Sequence, residues 1–182
     1  MRGISGVRRA IVGLAAAGVI AAGLVGITPV AASAAPACSI QPYGAIGERW
    51  TQLGGRSTFG CPITGELDIY RNGNWFGRVQ HFGGGDIVWM QHVASATIAA
   101  AWESGGYAIV DWRGAIRSYG KFLVRWSSAS GTVQRDAYGG TGGRYAVRVD
   151  NTGAYTFSVK GCDTDFWGSH CADWTYAIHT LP

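Results

Sequence analysis

The chain is predicted to be mainly β. A small glycine-rich α+β module over residues 35–95 precedes a seven-stranded β-sandwich over residues 96–182. Three observations carry this reading. Apolar and polar residues alternate with period two along the second half. Glycine-rich turns cut the first half into short apolar pieces. Four cysteines, Cys38, Cys61, Cys162 and Cys171, fall into an early pair and a late pair.

The strands of the second half are expected at Thr97–Trp102, Tyr107–Trp112, Lys121–Ser127, Gly131–Ala137, Arg144–Asp150, Ala154–Gly161 and Trp174–Thr180. Phe122, Val124 and Trp126 share one face, opposite Lys121 and Arg125. Tyr145, Val147 and Val149 oppose Arg144 and Arg148, and Tyr155, Phe157 and Val159 oppose Thr156, Ser158 and Lys160. In the last strand Trp174, Tyr176 and Ile178 oppose Asp173, Thr175 and His179. Strands with one apolar face each must bury it against a second sheet. Asp150-Asn151-Thr152-Gly153 reads as a turn, and Tyr155 just after it suits a tyrosine corner, a hydroxyl bonded back to the preceding backbone.

In the first half, Ile46 and Trp50 are spaced for one face of a short helix. Leu53-Gly54-Gly55 would end it, a glycine supplying the left-handed cap. Phe59-Gly60-Cys61-Pro62 then turns into an extended piece. The glycines at 55 and 60 have the gap of a phosphate-binding loop, but Cys61-Pro62 stands where Lys-Ser/Thr belongs, which excludes that reading.

The N-terminus carries an address rather than a fold. Arg2, Arg8 and Arg9 precede an uncharged apolar run, Ile11–Val30, which ends in a proline and the small residues Ala32-Ser33-Ala34. This is the pattern of a secretory signal peptide over residues 1–34, with cleavage expected after Ala34. A retained anchor is the rival reading, and membrane contact is expected only through such an uncleaved segment. Of 15 Lys and Arg, three lie in the signal, while all 11 Asp and Glu follow it, so the mature net charge is near +1. A nucleic-acid partner is not indicated by that balance. An even cysteine count behind a secretion signal implies disulfides, and the segregation into two pairs predicts Cys38–Cys61 and Cys162–Cys171. His170 lies inside the late pair, but an oxidising compartment favours the bond over zinc. No cofactor and no metal are expected.

The order I-x-x-x-W-x-x-L-G-G, F-G-C-P-x-T-x-E and F-x-G-G-x-I-x-W, over about residues 45–91, resembles one LGFP repeat of the wall-associated proteins of Gram-positive bacteria. That family usually has several tandem repeats; here there is one. Ile98-x-x-x-Trp102 hints at a second start but is read as the sandwich's first strand. Cys61 stands where the family more often has an aliphatic or small residue, and its bond to Cys38 would staple the lone unit. Residues 96–182, with FLVRWS, GAYTFSVKGCD and CADWTY, resemble the fibronectin type III-like (immunoglobulin-like) domains of secreted Gram-positive proteins. Cys162–Cys171 would bridge an inter-strand loop rather than the two sheets, a departure from the antibody-type disulfide.

These resemblances imply a secreted, extracellular or wall-associated protein that binds cell-wall polysaccharide or peptidoglycan without cleaving it. All 22 aromatic residues follow the signal. The ligand-stacking candidates are Trp50, Trp75, Phe76, Phe82, Trp89 and Trp167. For Trp50 and Phe82 the competing role, core packing, is favoured by their size. Trp75, Phe76 and Trp167 sit in turn-rich segments and are expected to be exposed. No H-E-x-x-H, G-x-S-x-G or cysteine-nucleophile motif is present, and no catalytic residue is assigned. A small wall hydrolase with an unrecognised site stays as one alternative: Glu66 and Asp68, expected to be exposed on one strand face, are a candidate carboxylate pair, while Asp163 and Asp165 could bind calcium or act as an acid pair but are favoured as turn-forming residues. An extracellular inhibitor presenting the Cys162–Cys171 loop is the other. His81 is read as a structural histidine.

Overall fold

The computed structural model describes residues 37–91, 97–150, 153–165 and 168–181. The signal segment, residues 92–96 and Trp167 therefore lie outside the described residues. From Pro36 onward the chain is one compact unit built of two antiparallel sheets.

The first sheet has six strands: β1 (Leu67–Arg71), β2 (Asn74–Phe82), β3 (Gly85–Met90), β4 (Ile98–Ser104), β5 (Tyr107–Arg113) and β8 (Gly143–Arg148), paired in that order. The second contains β6 (Tyr119–Ser128), β7 (Gly131–Gly140), β9 (Thr156–Asp165), β10 (Gly168–Cys171) and β11 (Ile178–His179). Its order is β10-β9-β6-β7, with β11 also on β9. Helix α1 (Gly44–Gln52) and the single turn α2 (Arg56–Phe59) precede all strands.

Alternation decides which side chains meet. Val88, Met90, Ala99, Ala101, Val110 and Trp112 of the first sheet pack with Phe122, Val124, Phe157 and Val159 of the second. Trp112 meets Phe122 edge to face, ring centroids 5.2 Å apart. The other face of the first sheet is also covered: Ile46 and Phe59 of the helices pack on Phe82, Ile87, Ala100 and Trp102. The molecule is thus helices on sheet on sheet. A sheet buried on both faces needs apolar residues at successive positions, which is why β4 begins Ile98-Ala99-Ala100-Ala101-Trp102.

This arrangement departs from the expected partition. β3 pairs with β4 from Asp86↔Ala101 to Trp89↔Ile98, so the first sheet runs straight across the boundary expected near residue 95. β4, β5 and β8 join the N-terminal strands, and the second sheet keeps only the remaining strands. Ile98–Ser104 is a strand, as expected. The strand expected at Trp174–Thr180 shrinks to Ile178–His179. Thr175 is buried and not solvent-facing: its N–H donates to Val159 O at 2.8 Å and its hydroxyl accepts from Val159 N–H at 2.9 Å. These bonds satisfy β9 in place of a ladder, and they turn Trp174 under Arg125 and Lys160, 4.1 and 4.8 Å from the ring centroid.

Both expected disulfides form, Cys38–Cys61 and Cys162–Cys171. The first closes a span of 23 residues and pins the segment before α1 to the turn after α2; a loop of that size is worth about 3 kcal/mol on chain-entropy grounds. The second joins β9 to β10 directly across their ladder. The turn after α1 uses glycine as the sequence implies: Gly54 and Gly55 have φ of +102° and +57°, and Gly55 N–H closes the helix on Trp50 O at 2.7 Å.

Tyr155 is buried. Its hydroxyl donates to Asp150 Oδ1 and accepts from Asp150 N–H at 3.0 Å. Burial first, and the Asp150 carboxylate second, hold the phenol above its ordinary pKa, so it stays a neutral donor. Tyr155→Phe keeps the ring and loses both bonds. We expect a cost on the order of 1 kcal/mol in a denaturant midpoint; no change would separate this corner from stability.

Candidate functional site

The helix-covered face of the first sheet is not covered to its end. Beyond the start of α1 a cavity of about 410 Å³ opens, lined by Tyr43, Ala45, Glu66, Trp75, Arg78 and Trp89 among others. Its aromatic wall comes from a local irregularity in β2. The register with β1 runs Ile69↔Gly77 and then Tyr70↔Trp75, skipping Phe76. This bulge reverses the alternation. Arg78 already faces the helix side beside Trp89, and the skipped residue brings Trp75 to that same side, its ring centroid 5.8 Å from that of Trp89. Gly77 makes the bulge possible, because a Cβ there would lie 2.2 Å from Trp89 O.

An ionic triad borders the rings. Arg78 donates from Nε to Asp68 Oδ1 at 3.1 Å and from Nη1 to Glu66 Oε2 at 3.2 Å. The indole N–H of Trp75 donates to the same Asp68 oxygen at 3.0 Å. Those bonds, the Trp75 one foremost, hold the Asp68 carboxyl below its ordinary pKa, and the Asp68 bond raises that of Arg78. Asp68 is therefore an acceptor, with no tendency to act as a proton donor near neutrality. Glu66 differs from its expected exposure: its side chain is only 7% exposed, against 47% for Asp68.

The six aromatic candidates separate. Trp75 and Trp89 come together at the cavity. Phe82 is completely buried and belongs to the core, stacked with Trp50 at 6.3 Å and edge-on to Phe59 at 5.8 Å. Trp50 packs against that core, and its indole N–H donates to Gly60 O at 3.3 Å. Phe76, expected to be exposed, is swung by the bulge toward the inter-sheet core, with the Arg71 guanidinium 4.0 Å above its ring. Tyr43, the most exposed of the cavity aromatics at 59%, was missed by sequence reading. A single tyrosine ahead of a helix carries no signal of the strand it will face.

Two buried acids outside the lining of this cavity each gather a polar cluster. Asp86 is buried and accepts from His179 N–H at 2.9 Å, while its oxygens lie 2.6 Å from His81 Nδ1 and 2.9 Å from His179 Nδ1. It ties β11 to β3, which fits the structural role read for His81. Asp111, also buried, takes Arg49 of α1 and Arg144 of β8, the latter at 2.9 Å, with Arg113 Nε at 3.7 Å. Burial pulls the Arg49 pKa below its ordinary value; Asp111 raises it, and Arg113 and Arg144 lower it further. Asp163 accepts from Gly120 N–H at 2.8 Å and pairs with Arg117 at 3.1 Å. Among the described residues no group of three or more His, Cys, Asp or Glu is placed to hold a metal ion, and no helix is long and apolar enough to cross a membrane. The two disulfides suit an oxidising, extracellular setting. Comparison of the chain with protein-family models, curated proteins and solved structures found no match.

Proposed function

We propose that this is a secreted protein that binds cell-wall glycan or peptidoglycan without cleaving it, using the cavity at Trp75 and Trp89. The observation that carries the reading is the pairing of two indoles with an open, solvent-facing cleft and a border of fixed charges. A sugar ring presents an apolar C–H face and a rim of hydroxyls. Indole rings supply the flat apolar surface, while Asp68, Glu66 and Arg78 supply acceptors and donors whose positions are set by one another. Preorganised partners lose little freedom on binding. The LGFP-like order of residues 45–91 and the secretion signal support the same reading, since both cavity indoles fall in or beside that stretch.

The cavity is small, so affinity is expected to be about micromolar or weaker. Trp75 is 37% exposed and lies outside both cores. Trp75→Ala should reduce sedimentation with purified walls roughly tenfold, the loss of about one stacked ring, and leave the unfolding midpoint nearly unchanged. Binding through rings should persist at high salt. If the intact protein stays in solution with walls at every salt concentration, the proposal is wrong. If it releases sugar or peptide fragments, a hydrolase takes its place.

A further inference from the structure

The cleft does not end at Trp89. A second cavity of about 330 Å³ shares Ala45 and Trp89 with it and continues past Arg49, Ile98 and Arg113. A third, about 690 Å³, shares Arg113 and Gly114 with the second and extends to Asp111, Thr141 and Arg144. The three form one groove on a single face of the first sheet, from β2 to β8. Four strand spacings separate those strands, a span of roughly 19 Å. The length suits several sugar rings in a row.

The far end of this groove has a distinct chemistry. Three guanidinium groups, Arg49, Arg113 and Arg144, surround the one carboxylate of Asp111, leaving two positive charges in excess. Arg49 and Arg144 suffice to neutralise and bond Asp111. Arg113 does neither well: its Nε is 3.7 Å from the carboxylate, its side chain is 61% exposed, and among the described residues its guanidinium makes no hydrogen bond within 3.5 Å. Arg144 is itself 53% exposed. Buried Arg49 also has an Nε with no partner. Placing like charges this close works against stability, so the surplus asks for a counter-charge. Glu48 lines the middle stretch but is exposed on α1 and is not within ion-pair distance of any of the three.

We propose that the groove binds a glycan strand bearing carboxylates, with sugar rings at the Trp75–Trp89 end and a carboxylate of the strand at Arg113 and Arg144. This rests on the glycan-binding reading above and narrows it to a peptide-substituted strand, whose stem peptides supply carboxylates, over a neutral polysaccharide. The planar fork of a guanidinium matches the two oxygens of a carboxylate, and the cluster already seats one carboxylate in Asp111. Arg113, whose guanidinium makes no hydrogen bond and only a long ion pair with Asp111, is the arm that closes on the ligand.

The test is a calorimetric titration of the disulfide-intact protein with three probes: chitotetraose, a wall-glycan tetrasaccharide carrying its stem peptides, and poly(glycerol phosphate). The peptide-bearing probe should bind about tenfold tighter than chitotetraose at low salt, the worth of one charge-assisted contact. Arg113→Gln should abolish that advantage, and high salt should mimic the substitution. Equal affinity for the two sugars, indifference to Arg113→Gln, or a preference for the phosphate polymer overturns the inference. In those cases loss of binding by Trp75→Ala shows that the parent reading survives. If neither any probe nor whole walls bind the wild-type protein, both fall together.

Discussion

Asp111→Ala is expected to destabilise the protein by about 3–5 kcal/mol, the cost of leaving a buried charge without its partner. Asp111 and Arg49 are 3% and 2% exposed, and their ion pair joins β5 to α1. Without the carboxylate, Arg49 keeps its desolvation cost and still faces the repulsion of Arg113 and Arg144. The guanidinium must then find water, which means lifting α1 off the sheet. The denaturant midpoint checks the size of the effect, and hydrogen exchange in α1 checks its place. A loss under about 1 kcal/mol would show that the pair does not hold the helix. Replacing both partners with apolar residues of similar size, Arg49→Met with Asp111→Leu, should cost far less than Asp111→Ala alone, because nothing charged is left buried.

Phe82→Ala should cost a comparable amount, about 3–5 kcal/mol, through lost burial and the cavity that remains. Phe82 is completely buried between Trp50 and Phe59. It also anchors the extended segment after α2 through the bridge Pro62↔Phe82. The variant separates two roles that sequence reading held open for this ring. As a core residue it should lower the unfolding midpoint while the folded fraction still sediments with walls. Trp75→Ala should do the reverse. Unchanged stability with lost wall binding in Phe82→Ala would restore the ligand role to Phe82 and remove the argument for separating the two rings.

Much of the architecture was legible because its signals are local. Period-two alternation marks β5 and β6 within two residues of their ends and β9 within four. Paired glycines after Leu53 mark the end of α1, since a left-handed turn is least costly without a Cβ. The cysteines pair by proximity along the chain, each bond closing within its own segment. Two further local signals are single acids among apolar neighbours. Asp86 is the one charge in β3 and Asp111 interrupts the apolar run 108–112 of β5, and a charge there must meet a partner or it would not be tolerated.

By itself, then, the sequence determined that this chain is mainly β, that it carries a short glycine-ended helix ahead of the strands, and that its cysteines close two local loops. These follow from alternation, capping and chain distance, which are properties of neighbouring residues. Only the tertiary structure decided that β4, β5 and β8 join the N-terminal strands in one sheet. An apolar face states that a strand is covered, not by which strand. Only the structure turned Trp75 toward Trp89 and Phe76 away, because a bulge is a mismatch between two strands and appears in neither alone. The arginine cluster is the extreme case: Arg49 lies 62 residues from Asp111, and Arg144 lies 33 beyond it. A surface arginine and a buried one have the same letter, and only the folded sheet brings three of them onto one carboxylate.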